Sequence, residues 1–469
     1  MIGAGVAGCL AAIMRARAGY EVVLIEREFS SAADVYPVCT QTSNIVSENH
    51  SGAEYPFDPQ SARDCLDGRI ANEMFFPKLI YGGKTYSRII ASQTMMNDGH
   101  DIVGQCRANM DVLRSHYARR CAEDESAAVF GDPSTVCREL EQVDGVNDVA
   151  RAFLTPQRGL NPVLVSTVLE WELRTSGVDF REGCQVTALD RRSDGRYRVA
   201  YTDRHGRQEI LDADQISLCS ATSAFGMAKS LNSKIDFPDI YMALREVLYV
   251  DLPDGTEKNF TCLKLEDSYG GMFSPISPDV AMIYHPPSAH IMNARMNPVS
   301  GAPPDGYLEY LSGGHPEAPG RAVWALHQLR RYYPELRRSS ILGSYLKIAV
   351  NTVSDSRVRR NIGVFSVLPG VTMTVLPKWT MCVENAREEL RRALEWSVAA
   401  GNVERDQISE LNARAGKPAW SAPPAWAGNP AQLVARATSH TVNMQVPPLL
   451  ADAFTQASEG IENRKYGLG

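Results

Sequence analysis

The stretch MIGAGVAGCLAAIMRARAGYEVVLIERE, residues 1–28, decides how the rest of the chain is read. Gly3, Gly5 and Gly8 have the G-x-G-x-x-G spacing of a dinucleotide-binding turn. The first glycine permits the tight turn, the second lets the backbone approach a pyrophosphate, and the third lets the following helix pack closely. Val6 and Ala7 lie within that turn and are candidate cofactor contacts, and the N-terminus of the helix favours phosphate charge. Residues 9–18 read as that helix, with small residues on one face, and Gly19 ends it. EVVLIE, residues 21–26, is a short β-rich apolar run and reads as a buried strand. Glu26 closes that strand where an acid hydrogen-bonds adenosine ribose hydroxyls, and Arg27 follows. Glycine spacing alone is a weak signal; turn, helix, strand and acid in register make a strong one. Only Met1 and Ile2 precede the turn, whereas a first strand normally supplies about five residues. The expectation is that further residues precede Met1 in the natural chain.

Working outward, 469 residues are enough for two or three domain-sized units. A hydrophobic share of 44% and a charged share of 22% are those of an ordinary globular protein. The net charge of −7 argues against a nucleic-acid partner, which asks for a basic face. RRYYPELRR, residues 330–338, is the one notable basic cluster and reads as a solvated helix face. No apolar run reaches the length of a membrane span, and no secretory signal pattern is present. The ten cysteines form no CxxC pair and no zinc spacing. Reduced, mostly buried thiols in a cytoplasmic protein without a metal are the expectation.

Residues 30–60 are rich in Ser, Pro, Asn and Asp and read as a loop that carries function. Helical patterns are expected over 61–76, 105–121 and 135–142. Residues 161–177 form an amphipathic helix with Pro at its start and Gly at its end. Strands are expected over 178–191 and 197–203, and a further strand over 209–221 runs into a small-residue turn. From about 235 to 350, short β-rich runs alternate with Pro/Gly turns and predict a mostly antiparallel sheet. Residues 362–398 read as strand, turn and helix. A Pro/Ala/Trp linker and short helical patterns follow residue 400.

Four blocks resemble the D-amino-acid oxidase superfamily of FAD-dependent oxidoreductases. The first is the opening segment itself. The second, NHSGAEYPFDPQSARDCLDG at 49–68, is most similar to the L-2-hydroxyglutarate dehydrogenase branch and is also similar to glycerol-3-phosphate dehydrogenases. This likeness implies that His50, Ser51, Gly52 and Tyr55 lie beside the flavin ring. His50 and Tyr55 would then exchange protons near the reacting carbon; a satisfied loop histidine is the plainer reading of His50 taken alone. The third block, 161–191, implies a backbone contact with the adenine near Val186. Nearby, Cys219, Ser220 and Ala221, followed by Thr222, stand where relatives have Ala-Ala-Gly beside the cofactor. The fourth, VLPGVTMTVLPKWTMCVENA at 367–386, resembles the closing motif. It implies that the turn Pro369, Gly370, Val371 and Thr372 faces the flavin N1–C2 carbonyl, with Lys378 a candidate for the same charge.

The fold expected is α/β (α+β): a Rossmann-like FAD-binding domain interleaved with a β-rich substrate domain. The FAD-binding parts are 1–75, 156–232 and 356–400. A helical cap segment at 76–155, the substrate domain at 233–355 and a C-terminal extension at 401–469 complete it. A flavin-disulfide reductase would carry CxxxxC, a two-dinucleotide enzyme a second glycine fingerprint, and an aromatic hydroxylase a GDAAH-like segment. None is present, which leaves direct oxidation of a small-molecule substrate. Hydride would pass from a C–H next to an amine or hydroxyl to flavin N5. His285, with Tyr284 and His290, is a candidate on the substrate side, and Arg245 or Arg357 a candidate carboxylate clamp. The electron acceptor stays open among oxygen, a quinone and a carrier protein. Two other readings also stand: a biosynthetic flavoenzyme for a larger or carrier-bound substrate, and a redox-silent scaffold of the same fold.

Overall fold

The computed structural model describes residues 1–27, 48–81, 86–160, 162–237, 240–252, 260–263, 271–275, 280–286, 290–297, 299–302, 318–352, 363–376 and 378–419. Its first layer is a parallel sheet built around the shortest of its strands. Ile2 bridges in parallel to Ile25 on one side and to Leu218 on the other. The Ile2 amide donates to Ser217 O at 2.9 Å, and the Ile25 amide to Met1 O at 3.0 Å. Met1–Ile2 thus sits between β1 (Val23–Ile25) and β11 (Ile216–Leu218). β7 (Asp179–Arg181) extends the sheet beyond β1. On the other side, β19 (Val371–Thr374) pairs in parallel with β11, and β18 (Val364–Leu368) closes the edge antiparallel.

Helices cover one face of this sheet. α1 (Val6–Arg17), α4 (Pro162–Thr175) and α7 (Cys382–Ala399) bury Leu10, Ile13, Val168, Leu169, Leu390 and Leu394 with Leu24 of β1. Their packing includes a buried charge pair: Arg15 Nη2 lies 2.7 Å from Glu389 Oε1, both almost without solvent. Glu389 also accepts from Thr372 Oγ1 at 2.6 Å and from the Ser217 hydroxyl. The carboxylate therefore ties α1 and α7 to β11 and β19; without such partners its burial would be costly. The other face packs on a meander of β8 (Gln185–Arg191), β9 (Tyr197–Thr202) and β10 (Gln208–Ala213). α5 (Ser223–Leu231) contributes Phe225 to the same core.

The second layer is a mixed sheet of nine strands. β12 (Ile240–Asp251) pairs antiparallel with β15 (Val280–Tyr284), β16 (His290–Arg295) and β17 (Ile341–Thr352). β14 (Gly271–Pro275) and β13 (Phe260–Leu263) continue from β15. β3 (Arg88–Ser92), β5 (Val149–Leu154) and β4 (Arg138–Leu140) complete the sheet. Segments 76–155 and 233–355 therefore share one sheet, because β3 pairs with β13. α6 (Ala318–Tyr332) lies on it through Ala322, Leu326 and Leu329. α2 (Pro59–Phe75) and α3 (Ile102–Glu123) cover the β3–β5 end through Leu66, Ile70, Met110 and Leu113.

Two expected elements differ. The helix expected at 135–142 is instead a short 3-10 turn, Pro133–Thr135, followed by β4. Cys137 takes a φ of 56°, outside the helical region, and Arg107 pairs with Glu139 on the exposed edge. The single strand expected over 209–221 is two strands in two sheets. The chain leaves β10 at Asp214–Gln215 so that the Ile216 amide can donate to Gly370 O at 2.9 Å. The basic run 330–338 ends α6, where Arg330 caps the Leu336 and Ser339 carbonyls. The extension is described as far as residue 419, including the helix Ile408–Ala415.

Candidate functional site

In an open parallel sheet, ligands bind beyond the carboxyl ends of the strands. At that end here, Met1–Ile2 runs into Gly3, whose φ is 98°. A Cβ at Gly3 would lie 2.8 Å from Cys219 O and Ser220 Cα. A Cβ at Gly8 would lie 1.8 Å from Gly3 O, so α1 can close on the turn only with glycine there. Gly5 caps α1 without a side chain, and the first turn, opened by Val6 and Ala7, holds no acid. Glu26 Oε2 accepts from the Ala4 amide at 2.6 Å, which lays the acid across the same turn. Arg27, next to it, is exposed. The Cys184 amide donates to Glu26 O at 2.8 Å, leaving half-buried Val186 two residues beyond. Ser220 and Ala221 follow β11 at this end, and Ala221 takes a left-handed φ of 49°.

The 49–55 segment reaches the same end by a different route. β2 (Glu48–Asn49) pairs with β6 (Arg158–Gly159), and the His50 amide then donates to Thr380 Oγ1 at 2.8 Å. Thr380 stands six residues after β19 leaves the sheet at Thr374, beside the exit of β11. α2 is pressed onto this segment: Asn72 Nδ2 donates to Thr380 O at 3.2 Å, and a Cβ at Gly68 would lie 2.3 Å from that oxygen. Gly52 passes as closely over α2, since its Cβ would lie 2.1 Å from Ala62 O. Asn109 Nδ2 holds the Gly52 and Ala53 carbonyls, each at 3.2 Å.

Around this loop the side chains converge. His50 Nδ1 lies 2.9 Å from Glu54 Oε2, near enough for charge pairing although the ring N–H is not aimed along that line. Gln157 Nε2 donates to Glu54 Oε1 at 2.7 Å and holds the carboxylate in place. The His50 and Tyr55 rings meet edge-on at 6.4 Å. Lys378 Nζ sits over the Tyr55 ring, 4.1 Å from its centroid, and 3.7 Å from Cys65 Sγ. Lys378 is 6% exposed and Cys65 wholly buried. Burial pushes the Cys65 thiol up to about 11, so it is uncharged at neutral pH. The Ser51 hydroxyl is buried and has no partner among the described residues. Such a group fits a site completed by a ligand with hydrogen-bonding atoms.

The structure thus gathers His50, Ser51, Gly52, Tyr55 and Lys378 into one place, at the sheet end that also carries Gly3, Gly5, Gly8, Glu26, Ser220 and Ala221. It corrects the expectation for Pro369–Thr372. Val371 is the partner of Ile216, the first residue of β11, so Pro369 and Gly370 lie at the opposite end from the glycine turn. Val371 fills the core at 1% exposure, and Thr372 gives its hydroxyl to Glu389. Residues 378–380 instead follow the carboxyl end of β19. His285 follows β15, and its ring meets Trp324 of α6 at 4.9 Å. Arg245 donates to Tyr284 OH at 3.0 Å. The His290 side chain and all of Arg357 lie outside the described residues. Glu54, Cys65, Gln157 and Thr380 escape sequence reading. Only Glu54 leaves a signal there, as the one acid in HSGAEY.

The FAD dependent oxidoreductase (DAO) family model matches residues 1–345. No curated protein matches. Among solved structures, L-amino acid deaminase from Proteus vulgaris is similar at 14% identity, with a TM-score of 0.57 over 84% of this chain and 92% of that one. L-alpha-glycerophosphate oxidase from Mycoplasma pneumoniae has a TM-score of 0.56 at 15% identity, over 84% and 93%. Glycine oxidase from Geobacillus kaustophilus has a TM-score of 0.51 at 16% identity, over 86% and 93%. These likenesses show a common fold; they do not show the L-2-hydroxyglutarate dehydrogenase branch. Among the described residues, no helix is long and apolar enough to cross a membrane.

Proposed function

Because the chain belongs to the DAO family of FAD-dependent oxidoreductases, we propose that it oxidises a small molecule at a carbon bearing an amine or a hydroxyl. The observation that carries this reading is the convergence of His50, Tyr55 and Lys378 on the sheet end that holds the glycine turn. Neighbours of the same fold include a deaminase and oxidase of amino acids and an oxidase of a glycerol phosphate, which share such a carbon.

Gly3, Gly5, Gly8 and the start of α1 would hold the pyrophosphate of FAD, with Glu26 on the ribose and Val186 toward the adenine. Ser51, Gly52, Ser220 and Ala221 would line its other side. When bound, FAD supplies the hydride acceptor. Glu54 beside Nδ1 favours a proton on that nitrogen and leaves Nε2 of His50 to take the proton from the substrate amine or hydroxyl. Tyr55 fixes the ring from its edge. Lys378 places a positive charge in a buried site, where it favours an anion.

Anaerobic mixing of the FAD-loaded chain with amino acids, amines and 2-hydroxy acids tests the reading. One class should bleach the flavin band near about 450 nm. Bleaching by none of them, or a chain that takes up no FAD, overturns it. Reoxidation by air, a quinone or a carrier protein then identifies the electron acceptor.

A further inference from the structure

We propose that Cys65 is a positioning residue for Lys378: its sulfur holds the ammonium against Tyr55 without cancelling the positive charge, which is kept for an anionic group entering the site. This rests on the role given above to the sheet end that carries Lys378.

A buried ammonium is ordinarily matched by a carboxylate, because desolvating an unpaired charge is costly. Among the described residues, Lys378 has an aromatic face at 4.1 Å and a sulfur at 3.7 Å instead. The cluster does contain a carboxylate, Glu54, but it takes the Gln157 amide and faces His50. The thiol stays protonated in this surrounding, since burial dominates its ionisation. A protonated thiol is a weak acceptor, so it locates the ammonium while neutralising little of its charge. Its position is well fixed. Cys65 lies on α2 one turn before Gly68, and α2 is held against residue 380 by the Gly68 contact and by Asn72. An acid at position 65 would meet the ammonium directly and form a charge-assisted pair, consuming what the site offers.

The anion has two possible sources, a substrate carboxylate or the negative charge of the reduced cofactor, and two measurements separate them. The FAD-loaded full chain is titrated with benzoate, followed by the flavin absorbance, and its midpoint potential is measured against a redox dye. Cys65→Ser should stay within about twofold of wild type, and Cys65→Asp should lose about tenfold in benzoate affinity or shift the potential down by the equivalent amount. A loss in affinity assigns the charge to the substrate, and a lower potential assigns it to the cofactor. In a Lys378→Met background, Cys65→Asp should add nothing. The proposal is overturned if Cys65→Asp changes neither quantity, or if its effect persists without Lys378. Should Cys65→Asp not fold, Lys378→Met alone decides: it must lose the same affinity or potential, and unchanged values overturn the proposal. A wild-type chain that binds no FAD overturns the functional reading and this proposal with it, whereas an inert Cys65→Asp overturns this proposal alone.

Discussion

The two ends of the parallel sheet are made by the same strands and differ in what their turns leave unfinished. At the amino end of β11 and β19, the carbonyls of the Pro369–Gly370 hairpin are taken up by the chain itself. Tyr197 donates its hydroxyl to Pro369 O, the Ile216 amide donates to Gly370 O, and Trp396 packs within 3.2 Å of a Cβ placed on Gly370. At the carboxyl end, α1 starts without a capping side chain, the Ser51 hydroxyl has no partner among the described residues, and Lys378 is buried against a thiol and a ring. One end is finished by the chain itself and the other asks for a ligand. A glycine-bearing turn is therefore informative only once its end of the sheet is known.

Substitutions at the two ends should separate cleanly. The largest effect is expected at His50. His50→Asn removes the proposed proton acceptor and should slow flavin reduction by about 10² to 10⁴-fold in stopped-flow mixing, leaving FAD content unchanged. At the opposite end, Gly370→Ala forces a Cβ onto a φ of 77° and to within 3.1 Å of Asp214 O. It should cost about 1–2 kcal/mol in denaturant unfolding while leaving FAD affinity as it was. A loss of FAD from this variant would erase the contrast. The smallest effect belongs to Ala221, an exposed residue held at a φ of 49°. Ala221→Gly relieves that strain but adds backbone freedom to the unfolded chain, for a net gain of about 0.5 kcal/mol in the same unfolding assay. A net loss of stability would mean that the alanine methyl contributes packing.

Much of this organisation was legible in local patterns. The turn at Gly3–Gly8, the helix after it, β1 and Glu26 all lie within 26 residues, so short-range spacing carries them. α4 and β12 were equally plain, from an amphipathic period and a β-branched run. What the sequence hid depends on long-range pairing. The break between β10 and β11 follows from Gly370 receiving the Ile216 amide, a contact between distant segments. The helical pattern at 135–142 gave way because β5 offers an edge for β4 to pair with. In the site, His50 and Tyr55 stood out by residue type. Gln157 and Cys65 carry no signal of their own, and they matter only because α2 and the chain after β5 bring them to Glu54 and Lys378.

The placement of FAD at the carboxyl end of the sheet is tested most directly by titrating the purified Gly8→Val chain with FAD. A side chain there must displace Gly3 O, which lies 1.8 Å from the Cβ position. The expected result is a chain that keeps its helical and strand signal in circular dichroism but binds FAD at least about 100-fold more weakly than wild type. Wild-type affinity in a folded Gly8→Val chain would contradict the placement.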